Sequence, residues 1–135
     1  MPRLTVWMVR TALLELGIGF TIGMLMLFNK GVPFDPFVWL LLPAHIELVL
    51  LGWTIQLAMG VAFWVLPRFT QAPRYGRERL GWLGYGLFNA GLLCFILSTW
   101  IQVGWLPLAG RLLELAGVFS FAVMIYPRVK AFAAP

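Results

Sequence analysis

Four long apolar stretches, each about 20 residues in length, constrain this chain more than any other feature. They cover approximately residues 7–28, 37–66, 80–101 and 106–126. A helix of about 20 apolar residues crosses the hydrocarbon core of a bilayer, where backbone polar groups must be satisfied internally. The sequence therefore predicts an all-α fold, a four-transmembrane-helix bundle that forms a single integral membrane domain over residues 1–135.

The composition excludes several other classes of protein. Of the 135 residues, 61% are hydrophobic and only 11% are charged, and the mean hydropathy is +0.90. A soluble domain has about 25% charged residues, so a soluble globular domain and a disordered segment are both excluded. The net charge of +5 does not indicate a nucleic-acid partner, because the basic residues lie at the ends of apolar stretches. The predicted partner is the lipid bilayer.

The second apolar stretch contains a proline that limits where its helix begins. A proline deep in a helix removes a backbone donor and clashes with the preceding turn. We therefore expect Pro43 near the start of the helix, with residues 37–42 as an interfacial lead-in.

The basic residues predict the orientation of the chain. They are grouped before or at the start of the first stretch, between the second and third, and after the fourth: Arg3, Arg10, Arg68, Arg74, Arg77, Arg79, Arg128 and Lys130. Four spans place these three segments on one side, and Lys and Arg are enriched on the cytoplasmic side. We predict that both termini are cytoplasmic and that the protein is a multi-pass protein of the prokaryotic cell inner membrane.

Six ionisable residues lie inside the predicted spans, at a cost of about 2.5–3.5 kcal/mol each for the charged ones: Arg10, Glu15, His45, Glu47, Arg111 and Glu114. Arg111 and Glu114 are three residues apart, a spacing that brings two helical side chains together, so we expect them to pair. Arg10 is close enough to the interface to snorkel, and Glu15 is expected to pair with Arg10 or with another helix.

His45, the only histidine, lies at the head of a helical stripe. At 3.6 residues per turn, its face also contains Val49, Gly52, Gln56, Met59 and Phe63. Gly52 leaves a gap two turns below His45 that suits a flat macrocycle, whereas Glu47 points the opposite way. Spacing alone leaves two interpretations open: His45 binds a cofactor, or it is a hydrogen-bonded residue that joins helices, with Gly52 serving close packing.

The stretch from Pro43 to Arg68 resembles the second transmembrane helix of the catalytic subunit of haem–copper oxidases and nitric oxide reductases. The matching features are an Ala-His opening at His45, the pair Met59-Gly60, the aromatic pair Phe63-Trp64 and the ending Leu66-Pro67. In that family the histidine is an axial ligand of the low-spin haem. The resemblance therefore implies that His45 binds the iron of a haem b.

The resemblance also implies what the chain lacks. The family takes its copper ligands and further haem ligands from histidines on later helices, and this chain has no second histidine. It is therefore not expected to assemble the copper–haem catalytic centre of an enzyme. The predicted cofactor-binding residues are His45, Gly52, Gln56, Met59, Phe63 and Arg111, with His45 as the metal ligand.

Several ways to complete the site stay open. A homodimer would supply a second His45 by symmetry, and Gly19 and Gly23 in the first span, with Ala90, Cys94 and Ser98 in the third, offer small residues for close contact. Met24 or Met26 is the alternative second ligand, and a five-coordinate iron would favour gas binding. Arg111 has either of two roles: it holds a haem propionate or it pairs with Glu114.

The sequence thus favours a small haem b membrane protein for electron transfer, with a redox partner, or for binding a diatomic gas or haem. An accessory subunit of a respiratory complex is compatible with this function. The alternative is a homodimeric four-helix transporter that uses Glu15, because small multidrug transporters also have a membrane-embedded glutamate in their first helix.

Overall fold

The computed structural model describes residues 1–101 and 103–129, so Gln102, Lys130 and the C-terminal residues lie outside the description. It contains four helical spans that are long and apolar enough to cross a membrane, as predicted. Helix α1 covers Arg3–Gly31, the second span covers Pro36–Val65, α4 covers Glu78–Ser98 and α5 covers Leu106–Ile125. The described residues form no strand, which confirms the all-α prediction.

The second span is a chain of four helical segments. A 3₁₀ helix (Pro36–Leu41) leads into α2 (Leu42–Ile46), a π-helical segment follows over Glu47–Ile55, and α3 (Gln56–Val65) completes the span. Because proline fits the first turn of a helix, Pro43 lies at the start of α2, as predicted. The interfacial position of the residues before it stays a prediction. The π-helical segment was not predicted, and such segments are rare and concentrate at functional sites.

A cluster of buried apolar side chains packs the helices together at one end of the bundle. It consists of Leu4, Met8, Met59, Phe63, Phe121 and Met124. These residues come from the start of α1, from α3 and from the end of α5, so the described N- and C-terminal ends lie at the same end of the bundle. The side of the membrane on which that end lies stays a prediction.

Helices α4 and α5 pack through glycines. Gly84 and Gly91 of α4 lie opposite Gly117 and Gly110 of α5, and the two glycines of each helix are seven residues apart. A Cβ at Gly117 would lie 2.7 Å from the backbone nitrogen of Phe88 and 2.8 Å from the carbonyl oxygen of Gly84. No side chain fits between such backbones, so the glycines set the distance between the two helices.

Arg128, one of the basic residues used to predict the orientation, is buried at the end of the bundle. Its side chain is 1% exposed and donates hydrogen bonds to the carbonyl oxygens of Phe63, Leu66 and Pro67, at 2.9, 2.7 and 2.9 Å. The last carbonyls of a helix have no partner within it, and cations are favourable there. Arg128, in the 3₁₀ turn Tyr126–Arg128, therefore joins α5 to the end of α3.

Candidate functional site

His45 packs against α1 through two glycines. Its Nδ1 lies 2.7 Å from the carbonyl oxygen of Gly19, and a Cβ at Gly23 would lie 2.7 Å from its Cε1. The side chain is half-buried, while Leu42 and Ile46 beside it on α2 are exposed. The imidazole therefore lies at the edge of the bundle, fixed in position by α1.

The glycines predicted for a dimer contact have another role within this chain. Gly19 contacts Val49 and Gly23 contacts His45, so both glycines serve the packing of α1 on the second span. Of the predicted small residues of α4, Ala90 is exposed, and Cys94 and Ser98 are half-buried. A dimer through them stays a prediction.

The space beside Gly52, where a macrocycle was expected, holds the side chain of Glu15. A Cβ on Gly52 would lie 3.0 Å from the carboxyl carbon and from Oε2 of Glu15. Gly52 and His45 do share a face of the second span, as the helical spacing predicted, but that face is covered by α1. Glycine at position 52 makes room for the carboxyl group of Glu15.

Glu15 belongs to a polar chain that crosses three helices. Gln56 Nε2 donates to Glu15 Oε2 at 3.1 Å, and Asn89 Nδ2 donates to Gln56 Oε1 at 2.5 Å. Glu15 thus pairs with another helix, one of the two predicted outcomes, while Arg10 is exposed. Asn89 was not singled out in the sequence, because a single amide on α4 gives no periodic signal.

The lower members of the predicted stripe belong to the apolar core. Met59 and Phe63 are buried against Leu4 and Met8 of α1 and against the end of α5. Arg128 also lies over the Phe63 ring, at 5.0 Å from its centroid. The structure therefore separates these two residues from His45, and their predicted part in cofactor binding gains no support from geometry.

Arg111 lies between two buried carboxylates. Its Nη1 and Nη2 donate to Oε1 and Oε2 of Glu47, both at 2.7 Å, and Nη1 also donates to Glu114 Oε2 at 2.8 Å. The guanidinium carbon lies 3.8 Å from the centroid of the Phe95 ring, a cation–π contact. The predicted pair of Arg111 and Glu114 is confirmed. The bidentate contact between Arg111 and Glu47 was not predicted, because the two residues are far apart in the sequence and only the fold brings the second span to α5.

Glu47 does point away from His45, as the spacing indicated, but towards the inside of the bundle. Its side chain is 1% exposed, whereas His45 contacts α1. The described residues contain no group of three His, Cys, Asp or Glu side chains arranged to hold a metal ion.

Comparison with known proteins identifies the family. The family model for cytochrome c and quinol oxidase polypeptide I matches residues 3–130, almost the entire chain. No curated protein and no solved structure matches the chain. The match includes all four spans, and it agrees with the resemblance of the second span to an oxidase helix. The four candidate spans indicate a multi-pass membrane protein, and the chain belongs to the cytochrome c and quinol oxidase polypeptide I family.

Proposed function

We propose that this protein is a small haem-binding membrane protein that uses His45 as an iron ligand and serves electron transfer or the binding of a diatomic gas or haem. The observation that carries the proposal is the hydrogen bond between His45 Nδ1 and the carbonyl oxygen of Gly19, at 2.7 Å. Family membership supplies the second support, since oxidase subunit I binds haem.

The hydrogen bond selects one tautomer of the imidazole. A carbonyl oxygen only accepts hydrogen bonds, so Nδ1 must carry the proton and donate it. Nε2 then holds a free lone pair, the form in which histidine binds a metal ion. Metal-binding histidines almost always donate their other N–H to a carbonyl or a carboxylate, which orients the ring and raises its basicity.

The donor set at His45 fits a haem at the edge of the bundle. The absence of a side chain at Gly23 makes room for the ring against α1, and the exposed apolar side chains of Leu42 and Ile46 offer a dry surface beside it. When bound, a haem b supplies one-electron chemistry or an iron site for a diatomic gas. Gly52 and Gln56 both contact Glu15, so they are not part of the proposed haem site. The proposed site consists of His45 and its neighbours on α2.

The second ligand is proposed to come from a second copy of the chain. Each chain has one histidine, and His45 lies at the bundle edge, where a twofold axis would bring two copies together. Both terminal nitrogens of Arg111 donate hydrogen bonds to Glu47. A haem propionate would have to displace Glu47 in order to bind Arg111.

Replacement of His45 tests the proposal. In His45→Gln the amide N–H₂ still donates to Gly19, so the helix contact is kept while the imidazole nitrogen is lost. The purified variant should keep its helical circular dichroism and lose the haem Soret band. Its matched control is Asn89→Gln, which changes a half-buried amide of α4 and should keep the Soret band. A wild-type haem spectrum in His45→Gln would contradict the proposal.

Chemical rescue separates ligation from packing. In His45→Gly, imidazole added to the solution should restore the Soret band, because free imidazole supplies the missing nitrogen. The haem content of the wild-type protein should approach one per two chains, with a low-spin spectrum, if two His45 side chains share one iron. One high-spin haem per chain would instead indicate an open, gas-binding site.

Transport is the second candidate function, and the burial of Glu15 favours it. A carboxyl group 8% exposed inside a membrane span, with an amide as its hydrogen-bond partner, suits proton-coupled exchange. It ranks second because the carboxyl group is engaged by Gln56 of its own chain. In liposomes, Glu15→Gln should abolish substrate-dependent proton movement if the protein is a transporter, and should leave haem content unchanged if it is not.

A further inference from the structure

We propose that a cavity at one end of the bundle binds the headgroup of a zwitterionic phospholipid with a primary ammonium group, of the phosphatidylethanolamine type. The cavity lies between the last turn of α1 and the start of the second span, and its volume is about 460 Å³. Its polar lining residues are Asn29, Lys30 and Asp35, and Phe34 and Trp39 add aromatic rings. The proposal is independent of haem binding, because the proposed haem site contains none of these residues.

Asn29 fixes the shape of the segment between the two spans and presents a donor to the cavity. Its Oδ1 accepts hydrogen bonds from the backbone nitrogens of Phe34 and Asp35, both at 3.0 Å, and the residue is only 4% exposed. These two bonds also settle the orientation of the amide, because only its oxygen accepts hydrogen bonds. Nδ2 donates no hydrogen bond within the described part of the chain, so it is available to a ligand in the cavity.

Lys30 and Asp35 bring opposite charges to the cavity without pairing with each other. The ion pairs among the described residues all involve Arg111. Asp35 is half-buried, and its Oδ1 accepts from the backbone nitrogen of Phe37 at 2.9 Å, at the start of the 3₁₀ helix. Lys30 is exposed in the last turn of α1. A ligand that carries both a cation and an anion complements these separated charges, whereas a ligand with a single charge leaves one of them unmatched.

Each part of an ethanolamine phospholipid headgroup has a partner of matching chemistry in this cavity. The phosphodiester accepts hydrogen bonds, which Lys30 and Asn29 can donate, and a bond between two ionised groups is among the stronger ones. The primary ammonium donates hydrogen bonds, which the Asp35 carboxylate accepts, and the faces of aromatic rings such as Phe34 and Trp39 attract a cation. The trimethylammonium group of phosphatidylcholine has no N–H to donate, so Asp35 selects the primary amine.

The position of the cavity favours a membrane lipid over a soluble zwitterion. The cavity lies where one span ends and the next begins, at the depth where headgroups and tryptophan rings are found. Phe28, Phe37 and Leu40, which are close to the cavity residues in sequence, have exposed side chains. They offer apolar surface for the acyl chains of a lipid whose headgroup occupies the cavity.

Native mass spectrometry of the detergent-solubilised full chain tests the proposal. The probes are dioleoyl lipids that differ only in the headgroup: phosphatidylethanolamine, phosphatidylglycerol, which lacks the ammonium, and phosphatidylcholine. The wild-type protein should bind one phosphatidylethanolamine per chain, about tenfold more tightly than either of the other lipids, which is the difference that one hydrogen bond to a charged group provides.

Two substitutions separate the two charges of the cavity. Asp35→Asn keeps an oxygen that caps Phe37 but loses the negative charge, so the phosphatidylethanolamine affinity should fall about tenfold, to that of phosphatidylglycerol. Lys30→Gln should weaken the binding of all three lipids, because each contains the phosphodiester. Arg79→Gln removes an exposed positive charge from the first turn of α4, at the opposite end of the bundle, and is the matched control with unchanged affinity. Circular dichroism checks that each variant is folded.

Three results would overturn the proposal. A preference for phosphatidylethanolamine that persists in Asp35→Asn would show that this carboxylate does not bind the ammonium. Phosphatidylglycerol that binds the wild-type protein as tightly as phosphatidylethanolamine would indicate contact of an anionic lipid with Lys30 alone. Displacement of the bound lipid by an equimolar amount of glycerophosphoethanolamine would identify a soluble zwitterion, rather than a membrane lipid, as the ligand.

Discussion

Glycines serve two different purposes in the two halves of this bundle. Between α4 and α5, added Cβ atoms at Gly84 and Gly117 would meet backbone atoms of the opposite helix at 2.8 and 2.7 Å. Between α1 and the second span, glycines meet side chains instead: Gly23 meets His45 and Gly52 meets Glu15. The first interface brings two backbones together, and the second provides space for side chains that can bind or carry protons.

The α4–α5 interface therefore serves mainly close packing, whereas the interface of α1 with the second span contains side chains with chemical function. Backbone contact at Gly84 and Gly117 leaves no space for a side chain between α4 and α5 at these two positions. Between α1 and the second span, the space left by Gly23 holds the imidazole of His45, and the space left by Gly52 holds the carboxyl group of Glu15. Arg111 and the polar chain through Gln56 then connect the two pairs.

Removal of the connection at Arg111 should have the largest effect. Arg111→Gln leaves Glu47 buried without its cation, and the loss of one partner from a buried ion pair costs about 3–5 kcal/mol. We expect about 3 kcal/mol, because the Arg111 side chain is 42% exposed. Unfolding by sodium dodecyl sulfate measures the effect. Arg10→Gln, on the exposed side of α1, is the control and should change stability little.

Gly117→Ala should test the backbone contact between α4 and α5. The new methyl group would lie 2.7 Å from Phe88 N, so the helices must separate, and such overpacking costs about 1–3 kcal/mol. Gly86→Ala is the matched control, because nothing lies within 4 Å of its Cβ position. That control should be neutral or slightly stabilising, since alanine favours a helix. Equal effects of the two substitutions would refute the distinction.

Tyr85→Phe should have a smaller effect on the contact between α1 and α4. The hydroxyl groups of Tyr85 and Thr11 lie 2.7 Å apart, and an interhelical hydrogen bond in a membrane contributes about 0.6 kcal/mol. Tyr126→Phe, at an exposed position, should be silent in the same unfolding assay. A loss of stability above about 2 kcal/mol would show that the Tyr85 hydroxyl stabilises the bundle through more than this one hydrogen bond.

Gly23→Ala should affect the surroundings of His45 more than the stability of the bundle. The methyl group would lie 2.7 Å from His45 Cε1, and the imidazole can rotate away from it at a cost of about 1 kcal/mol. The NMR signals of the only histidine should shift, and haem content should fall. Gly17→Ala, with nothing within 4 Å of its Cβ position, is the control on the same helix and should leave those signals in place.

Much of the fold follows from local chemistry. The four spans follow from the length of the apolar stretches, and the start of α2 follows from the restricted geometry of Pro43. The pair of Arg111 and Glu114 follows from a spacing of three residues on one helix. The π-helical segment Glu47–Ile55 did not follow, because apolar residues on every side of a membrane helix do not reveal its hydrogen-bond register.

The sequence by itself determined the properties that depend on neighbours along the chain: the spans, the helix start at Pro43, the pairing of Arg111 with Glu114 and the His45 face of the second span. The tertiary structure alone decided which helix covers that face, that Glu15 fills the space at Gly52, and that Glu47 binds Arg111 across 64 positions. The physical reason is that contacts between helices depend on backbone approach distances. In α4 and α5 those distances are set by glycines that meet only when both helices are in place.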